Sequence, residues 1–147
     1  MMLYMRKAAT VADLPDVAAA IIRELLPIDP FVVWLDGSMG AGKTTLTRYL
    51  LRALGLGKDE PVTSPTYALM NEYQIGNDWF AHLDLYRAEP HFSLAELGVL
   101  DARPFRGVFI EWAATPTAEE RLAPTHRLGL QIVGDDRRDI LLESRLS

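Results

Sequence analysis

Residues 37–44 read GSMGAGKT, and this octapeptide constrains the chain more than any other segment does. It matches the pattern G-x-x-x-x-G-K-[ST] at every specified position. Glycines let the backbone turn tightly and direct consecutive N–H groups toward an anion. In this pattern the lysine reaches the β- and γ-phosphates of a nucleotide, and the hydroxyl after it binds magnesium. The segment therefore predicts a phosphate-binding loop, with Lys43 on the phosphates and Thr44 on Mg²⁺.

The segments on either side provide the structural context that such a loop requires. Residues 31–35 (FVVWL) are all apolar, which indicates a buried strand. Residues 45–54 place four leucines at helical spacing, and Gly55 follows as a C-terminal cap. The amino end of that helix adds the positive end of its dipole to the loop. This strand, loop and helix favour a phosphate site over a chance glycine-rich turn.

Composition limits the classes of protein to which the chain can belong. A length of 147 residues predicts one domain, residues 1–147, with a sizeable core. The net charge of −5 argues against a broad, non-specific nucleic-acid surface. The absence of cysteine excludes disulfides, thiolate catalysis and cysteine–zinc sites. No apolar run approaches membrane-spanning length and no signal peptide is visible, so we expect a cytoplasmic protein without a membrane partner.

The rest of the chain alternates between helical and strand patterns. The predicted elements are a helix beginning at 13–16 and stopped by Pro27, strands at 67–73, 79–83 and 108–110, a short helix opening at 93–96, a helical turn or two at 118–122, and a hairpin of strands 127–133 and 139–142. From these elements we predict a single P-loop NTPase-like α/β domain, with a mixed central sheet, flanking helices and a C-terminal β-hairpin. The phosphate loop should lie at the carboxyl end of a central strand.

Two carboxylates stand where apolar strands end. Asp84 follows the stretch FAHL, and Glu111 follows VFI. A nucleotide triphosphate site needs a carboxylate near magnesium and usually a group that positions water. An acid after an apolar run is often only an ordinary strand end, yet two such acids beside a phosphate loop favour a functional role. We predict that at least one lies in the magnesium shell; the sequence does not separate the metal ligand from the water-positioning acid.

Three further residues near these motifs each have two interpretations. Thr66 lies between the phosphate-loop helix and the next strand, where a hydroxyl can sense the γ-phosphate and magnesium. The pattern alone instead favours a proline-fixed turn there. His82 has no second ligand nearby in sequence, so we interpret it as structural. Trp112 follows Glu111 and could pack near a nucleotide, although tryptophan usually belongs to a core or an interface.

Taken together, these segments resemble the TsaE family, also called YjeE, of small bacterial P-loop ATPases in tRNA threonylcarbamoyladenosine synthesis. The matching stretches are GSMGAGKTTLTRYLLRALG, VTSPTYALMNEY, HLDLYR, IEW and the charged hairpin. Many families share the first stretch, whereas the combination of SPTY, HLDLYR and IEW is far more specific. The resemblance extends from about Phe31 to the end of the chain and raises the switch interpretation of Thr66 above the turn interpretation.

The resemblance implies a function that composition alone does not indicate. TsaE-like proteins bind and hydrolyse ATP to assist the TsaD–TsaB complex, which transfers a threonylcarbamoyl group to an adenosine beside the tRNA anticodon. The resemblance also implies that ATP and Mg²⁺ are the cofactors, that turnover is slow or depends on a partner, and that the protein contacts tRNA only through the complex. The chain also lacks an N-K-x-D motif for reading guanine, which favours ATP over GTP.

Site residues follow from the resemblance position by position. Nucleotide contacts are assigned to Gly40, Ala41, Gly42, Lys43, Thr44 and Thr45, with Thr10 and Arg137 as candidates near the adenine. Catalytic roles are assigned to Lys43, Thr66, Asp84 and Glu111, and magnesium binding to Thr44, Glu111 and Asp84. The chain departs from the family at Ser38 and Met39, where an acidic residue and a leucine are common. Because the loop backbone binds the phosphates, this departure should affect a partner contact rather than phosphate binding.

Two other functions share the phosphate loop. A small-molecule P-loop kinase would need an acceptor pocket and usually an arginine-bearing lid, for which little chain remains after Leu122. A non-catalytic, nucleotide-gated binding module would bind ATP without hydrolysing it. Phosphorylation of a metabolite would distinguish the first alternative, and the absence of hydrolysis in the assembled complex would distinguish the second.

Overall fold

A computed structural model describes residues 1–62, 70–85, 104–112 and 122–146. The helices and strands in these ranges, in chain order, are β1 (Met2–Ala9), α1 (Leu14–Leu25), β2 (Phe31–Asp36), α2 (Lys43–Leu54), β3 (Met70–Ile75), β4 (Asp78–Asp84), β5 (Gly107–Glu111), β6 (His126–Gly134) and β7 (Arg137–Ser144). A single 3₁₀ turn, Val11–Asp13, leads into α1. Within the described part of the chain, no helix has the length and apolar character needed to cross a bilayer.

The strands form one seven-stranded mixed sheet in the order β1-β7-β6-β2-β5-β4-β3. The central strand β2 is parallel to both neighbours, β5 and β6, and β4 is parallel to β5. The outer pairs β3–β4, β6–β7 and β1–β7 are antiparallel. Because parallel strands end at the same edge of a sheet, the carboxyl ends of β2, β4 and β5 meet there. The phosphate loop leaves β2 at this edge, as predicted.

Both helices pack on one face of the sheet, where their apolar stripes are buried. Leu46, Leu50 and Leu51 of α2 are fully buried, and Ile21 and Leu25 of α1 share the same core. Burying each such side chain is worth about 1.5–3 kcal/mol relative to leaving it exposed. A second apolar cluster covers the other face, and it includes Trp34, Leu83 and Ile110. This packing holds the amino end of α2 against the carboxyl edge of the sheet.

The sequence-based elements differ from the structure mainly at the ends. Helix α2 begins at Lys43, two residues earlier than predicted, so the lysine itself lies in its first turn. Strand β1 was missed, because it is an edge strand in which only Ala9 is buried and no alternation of apolar residues marks it. The predicted segment 93–96 and all of 118–122 except Leu122 lie outside the described residues, as do residues 67–69 of the strand predicted at 67–73.

Candidate functional site

The phosphate loop joins β2 to α2 through two left-handed glycines. Gly40 has φ +80° and Gly42 has φ +100°. Residues that carry a side chain rarely adopt this backbone conformation, so both positions favour glycine. The turn is closed by a hydrogen bond of 3.0 Å from the Ala41 N–H to the Ser38 carbonyl. The backbone therefore takes the sharp turn that a phosphate-binding loop requires, directly before a helix amino terminus.

Lys43 is held against the loop rather than extended into solvent. Its ammonium donates hydrogen bonds to the carbonyls of Gly37 at 2.7 Å and Ser38 at 3.1 Å. It also lies 4.0 Å from the centre of the Trp112 ring, within cation–π range. Burial lowers the pKa of Lys43, and the nearby carboxylates, chiefly that of Glu111, oppose this effect. The cation thus stands at the centre of the loop, with acids nearby.

Thr44 and Glu111 bring two oxygen ligands together beside the loop. The Thr44 hydroxyl lies 2.9 Å and 3.1 Å from the two carboxylate oxygens of Glu111, which is almost fully buried at the end of β5. Adjacent oxygens around an octahedral magnesium ion are about 3.0 Å apart, given Mg–O distances of about 2.1 Å. The chemistry and separation of these two groups therefore fit a Mg²⁺ ion that also binds nucleotide phosphates.

Asp84 ends β4 directly beside Glu111. The two residues are register partners across the parallel strands β4 and β5, so both side chains lie on the α2 side of the sheet. Asp84 is half-buried, and its charge partly offsets the lowering of the Lys43 pKa by burial, which places the carboxylate near the same cation. Among the described residues, no group of three His, Asp or Glu side chains could hold a metal by itself. Magnesium commonly uses only one or two carboxylates together with phosphates and water.

His82 makes a contact that the sequence interpretation missed. Its imidazole is fully buried, and Nε2 lies 2.5 Å from Oε2 of Glu111. Its Nδ1 has no hydrogen-bond partner within the described ranges. The spacing of His82 and Asp84, two residues apart on one strand, was the signal available, since such residues share a face.

A cavity of about 340 Å³ lies next to the phosphate loop. Its wall combines Thr10 from the amino-terminal segment, Gly40 and Thr45 from the loop and α2, and Arg138 from the hairpin. Leu14 and Leu130 contribute apolar surface. Small-molecule sites are typically concave and mostly apolar, with a few polar groups of this kind. The cavity thus continues the phosphate loop toward the segment that precedes α1.

The two neighbouring hairpin arginines have different positions. Arg138 is half-buried in the cavity wall and donates to the carbonyls of Ala41 at 2.9 Å and Gly40 at 3.3 Å. Arg137, the predicted candidate, is exposed and does not line this cavity; it donates to the Ala8 carbonyl at 3.2 Å. Consecutive residues of a strand point to opposite faces of the sheet, so Arg137 and Arg138 lie on opposite faces of β7. Arg138 was therefore missed.

Of the other sequence-predicted site residues, the structure places Thr10 and Thr45. Thr10 lines the cavity and caps the turn before α1, where its N–H donates to Asp13 at 2.8 Å. Thr45 lies in the first turn of α2 and also lines the cavity. Thr66 lies outside the described residues, so its role in sensing phosphate stays a prediction.

This combination defines a class of protein. A central parallel strand ends in a glycine loop that opens a helix, and a neighbouring strand supplies an acid within hydrogen-bond distance of the loop threonine. Such an arrangement is a P-loop NTPase-like α/β fold, as the sequence predicted.

Comparison with known proteins identifies the family. The family described as "Threonylcarbamoyl adenosine biosynthesis protein TsaE" matches residues 8–140, and the chain belongs to the TsaE family. This membership confirms the resemblance drawn from the motifs.

Relatives named tRNA threonylcarbamoyladenosine biosynthesis protein TsaE occur in several bacteria. The chain is 40% identical to the Haemophilus influenzae protein over 65% of this chain and 60% of that protein. It is 40% identical to the Bacillus subtilis protein over 74% of this chain and 66% of that protein. It is 34% identical to the Aquifex aeolicus protein over 74% of each chain. The match thus spans less than two-thirds of the length of the first two. Among solved structures, Bacillus subtilis YdiB superposes with a TM-score of 0.68 and 25% identity, covering 98% of this chain and 87% of that one.

Proposed function

We propose that this protein binds and hydrolyses Mg·ATP as an accessory of tRNA threonylcarbamoyladenosine modification, acting on the TsaD–TsaB complex. The observation that carries the proposal is the meeting of Thr44 with Glu111 at 2.9 Å beside the phosphate loop. A threonine and a buried carboxylate at this distance would hold the metal that accompanies a nucleotide triphosphate. Family membership supplies the pathway in which this chemistry would be used.

The phosphate loop would bind the triphosphate through its backbone N–H groups and Lys43. The ammonium donates hydrogen bonds to the Gly37 and Ser38 carbonyls. Phosphate oxygens carry more negative charge than a carbonyl, so they would compete successfully for the ammonium. The amino end of α2 adds a favourable field at the same point. These groups would stabilise the charge that develops as the γ-phosphoryl group is transferred.

The two acids would have different tasks. Glu111 is buried and hydrogen-bonded to Thr44, so we assign it to magnesium. Asp84 is half-buried at the neighbouring strand end and has more access to solvent, so we assign it to orienting the attacking water. Magnesium, when bound, would neutralise charge on the phosphate oxygens. Thr66 completes the proposal as a candidate sensor of the γ-phosphate.

The base of the nucleotide would occupy the cavity beside the loop. Thr10 and Arg138 offer hydrogen-bonding groups on its wall, while Leu14 and Leu130 offer apolar surface. The absence of an N-K-x-D motif supports adenine over guanine. The net charge of −5 supports contact with tRNA through the TsaD–TsaB complex rather than directly.

The test is ATP hydrolysis by the purified protein, first alone and then with matched TsaD, TsaB and tRNA, with tRNA modification followed in parallel. Stimulated hydrolysis and repeated rounds of modification are expected, and Lys43→Ala should abolish both. Binding of ATP without stimulation or any effect on modification would contradict the proposal. Phosphorylation of a metabolite faster than hydrolysis would instead establish the kinase alternative.

A further inference from the structure

We propose that His82 is a positioning residue that orients the Glu111 carboxylate toward Thr44 and magnesium. This inference rests on the proposed function, because it concerns the acid assigned there to the metal. It adds a task to a buried residue that is part of neither the phosphate loop nor the pair of strand-end acids.

Strand register places the imidazole of His82 on the same face of the sheet as the two acids, two residues before the end of β4. In the parallel pair β4–β5, His82 lies opposite Phe109 and Asp84 lies opposite Glu111. Residues two apart share a face, so His82, Asp84 and Glu111 all lie on the α2 side of the sheet. From this position Nε2 of His82 reaches Oε2 of Glu111 at 2.5 Å.

The surroundings of the ring determine its tautomer. A neutral imidazole carries one N–H, on either Nε2 or Nδ1. With the proton on Nδ1, a buried N–H would have no acceptor in the described ranges and the Nε2 lone pair would face a carboxylate. With the proton on Nε2, the ring donates to Glu111 and only an acceptor is left unpaired. The geometry therefore assigns the proton to Nε2.

This donation restricts the orientation of the carboxylate. Oε2 of Glu111 accepts hydrogen bonds from both His82 and the Thr44 hydroxyl, while Oε1 lies 3.1 Å from the same hydroxyl. A glutamate side chain loses considerable rotational freedom when it is held, so a fixed partner lowers the cost of presenting it to a metal. Groups that hydrogen-bond to metal ligands typically change metal affinity by about 10- to 100-fold.

The test uses two substitutions at His82 and a matched core control. His82→Gln can keep an N–H donor at a similar reach, whereas His82→Leu removes the donor and keeps an apolar side chain. Phe80→Leu alters the core two residues earlier on the same face, where Phe80 packs against Phe31. For each protein, ATP affinity is measured with Mg²⁺ and with EDTA, and thermal stability is recorded.

We expect His82→Leu to lose about tenfold or more of the gain in affinity that Mg²⁺ provides, with the affinity in EDTA unchanged. His82→Gln should recover most of that gain in affinity. Phe80→Leu should lower thermal stability but retain the full gain in affinity from Mg²⁺. A folded His82→Leu protein with the wild-type gain, or a folded His82→Gln protein with no recovery, would overturn the inference. Wild-type protein that shows no gain from Mg²⁺ would instead contradict the proposed function itself.

A second measurement needs neither nucleotide nor a variant. Nitrogen NMR of the imidazole in the wild-type protein distinguishes a proton on Nε2 from a proton on Nδ1. A proton on Nε2 is expected. A ring protonated at Nδ1 alone would overturn the inference even if every substitution at His82 prevented folding.

Discussion

The ammonium of Lys43 lies 4.0 Å from the centre of the Trp112 ring, so the cation of the glycine loop packs against an indole. Trp112 has φ +58°, an uncommon backbone conformation for a residue other than glycine. The strand end that carries Glu111 therefore also positions an aromatic ring over the loop cation.

Nucleotide binding should change the fluorescence of Trp112. When phosphate draws Lys43 from its present partners, the environment of the indole changes. Titration with ATP should alter the intrinsic emission of the wild-type protein, and Trp112→Phe should remove most of that change. Trp79→Phe, on the neighbouring strand β4, is the control and should retain it. An equal response from wild type and Trp112→Phe would show that this ring does not sense the loop.

Removal of the loop cation should strongly weaken ATP binding. Lys43→Ala should reduce affinity by about tenfold or more, because hydrogen bonds to charged groups contribute about 1.5–3 kcal/mol. Lys58→Ala removes an exposed lysine of the same charge and should leave affinity nearly unchanged. Calorimetric titration of both variants measures the difference. Similar losses in the two would indicate a general charge effect rather than a phosphate contact.

The two strand-end acids should give different kinetic defects. Glu111→Gln should weaken the dependence of ATP binding on Mg²⁺, because it removes the negative charge that we assign to magnesium next to Thr44. Asp84→Asn should retain Mg²⁺-dependent binding and lower hydrolysis in the assembled complex by about 100-fold, the effect expected for a group that assists proton transfer or orients water. Binding and turnover are measured separately in each variant. The reverse pattern would exchange the assigned roles.

The hairpin arginines provide a matched pair. Arg138→Ala should weaken ATP binding by about tenfold, because Arg138 holds the loop carbonyls of Ala41 and Gly40 and lines the cavity. Arg137→Ala removes the same charge from an exposed neighbour and should have little effect. Affinities from the same titration decide between them. A larger loss at Arg137 would favour the residue predicted from the sequence over Arg138.

Acid should destabilise the fold through His126. This side chain is buried, its Nδ1 lies 2.7 Å from the Thr125 hydroxyl, and burial lowers its pKa below the ordinary 6.5. As the pH falls, the unfolded chain therefore takes up a proton at His126 at a higher pH than the folded protein does. The contribution of His126 to the free energy of unfolding is full well above pH 6.5 and is lost as the pH falls below it. The loss per pH unit is at most about 1.4 kcal/mol. Urea unfolding of His126→Phe should show a shallower decline than wild type, and parallel curves would contradict this.

Local signals in the sequence were sufficient for the strand, loop and helix around Lys43. The glycines, the apolar run before them and the leucine spacing after them each act over a few residues. The assignment of the two acids depended on something else, namely the pairing of β4 with β5 and of β5 with β2. That pairing brings Glu111, rather than Asp84, against Thr44, and it joins segments 67 residues apart.

Other parts of the site required the fold for the same reason. Whether the cavity wall contains Arg137 or Arg138 depends on which face of β7 turns inward, and the charged residues of the turn do not indicate this. The contact of His82 with Glu111 depends on register across two strands. Strand β1 is defined by its pairing with β7 rather than by its own pattern of apolar residues.

The order of strands in the sheet has a consequence for synthesis on the ribosome. The central strand β2 is made before its partner β6. Strand β1 is likewise made long before β7, the strand with which it pairs. Non-local pairing of this kind delays folding, because long segments must come together before their contacts stabilise them. A nascent chain that has exposed its phosphate loop still lacks Arg138 and the hairpin wall of the cavity. The emerging polypeptide should therefore gain affinity for nucleotide only when the β6–β7 hairpin leaves the exit tunnel.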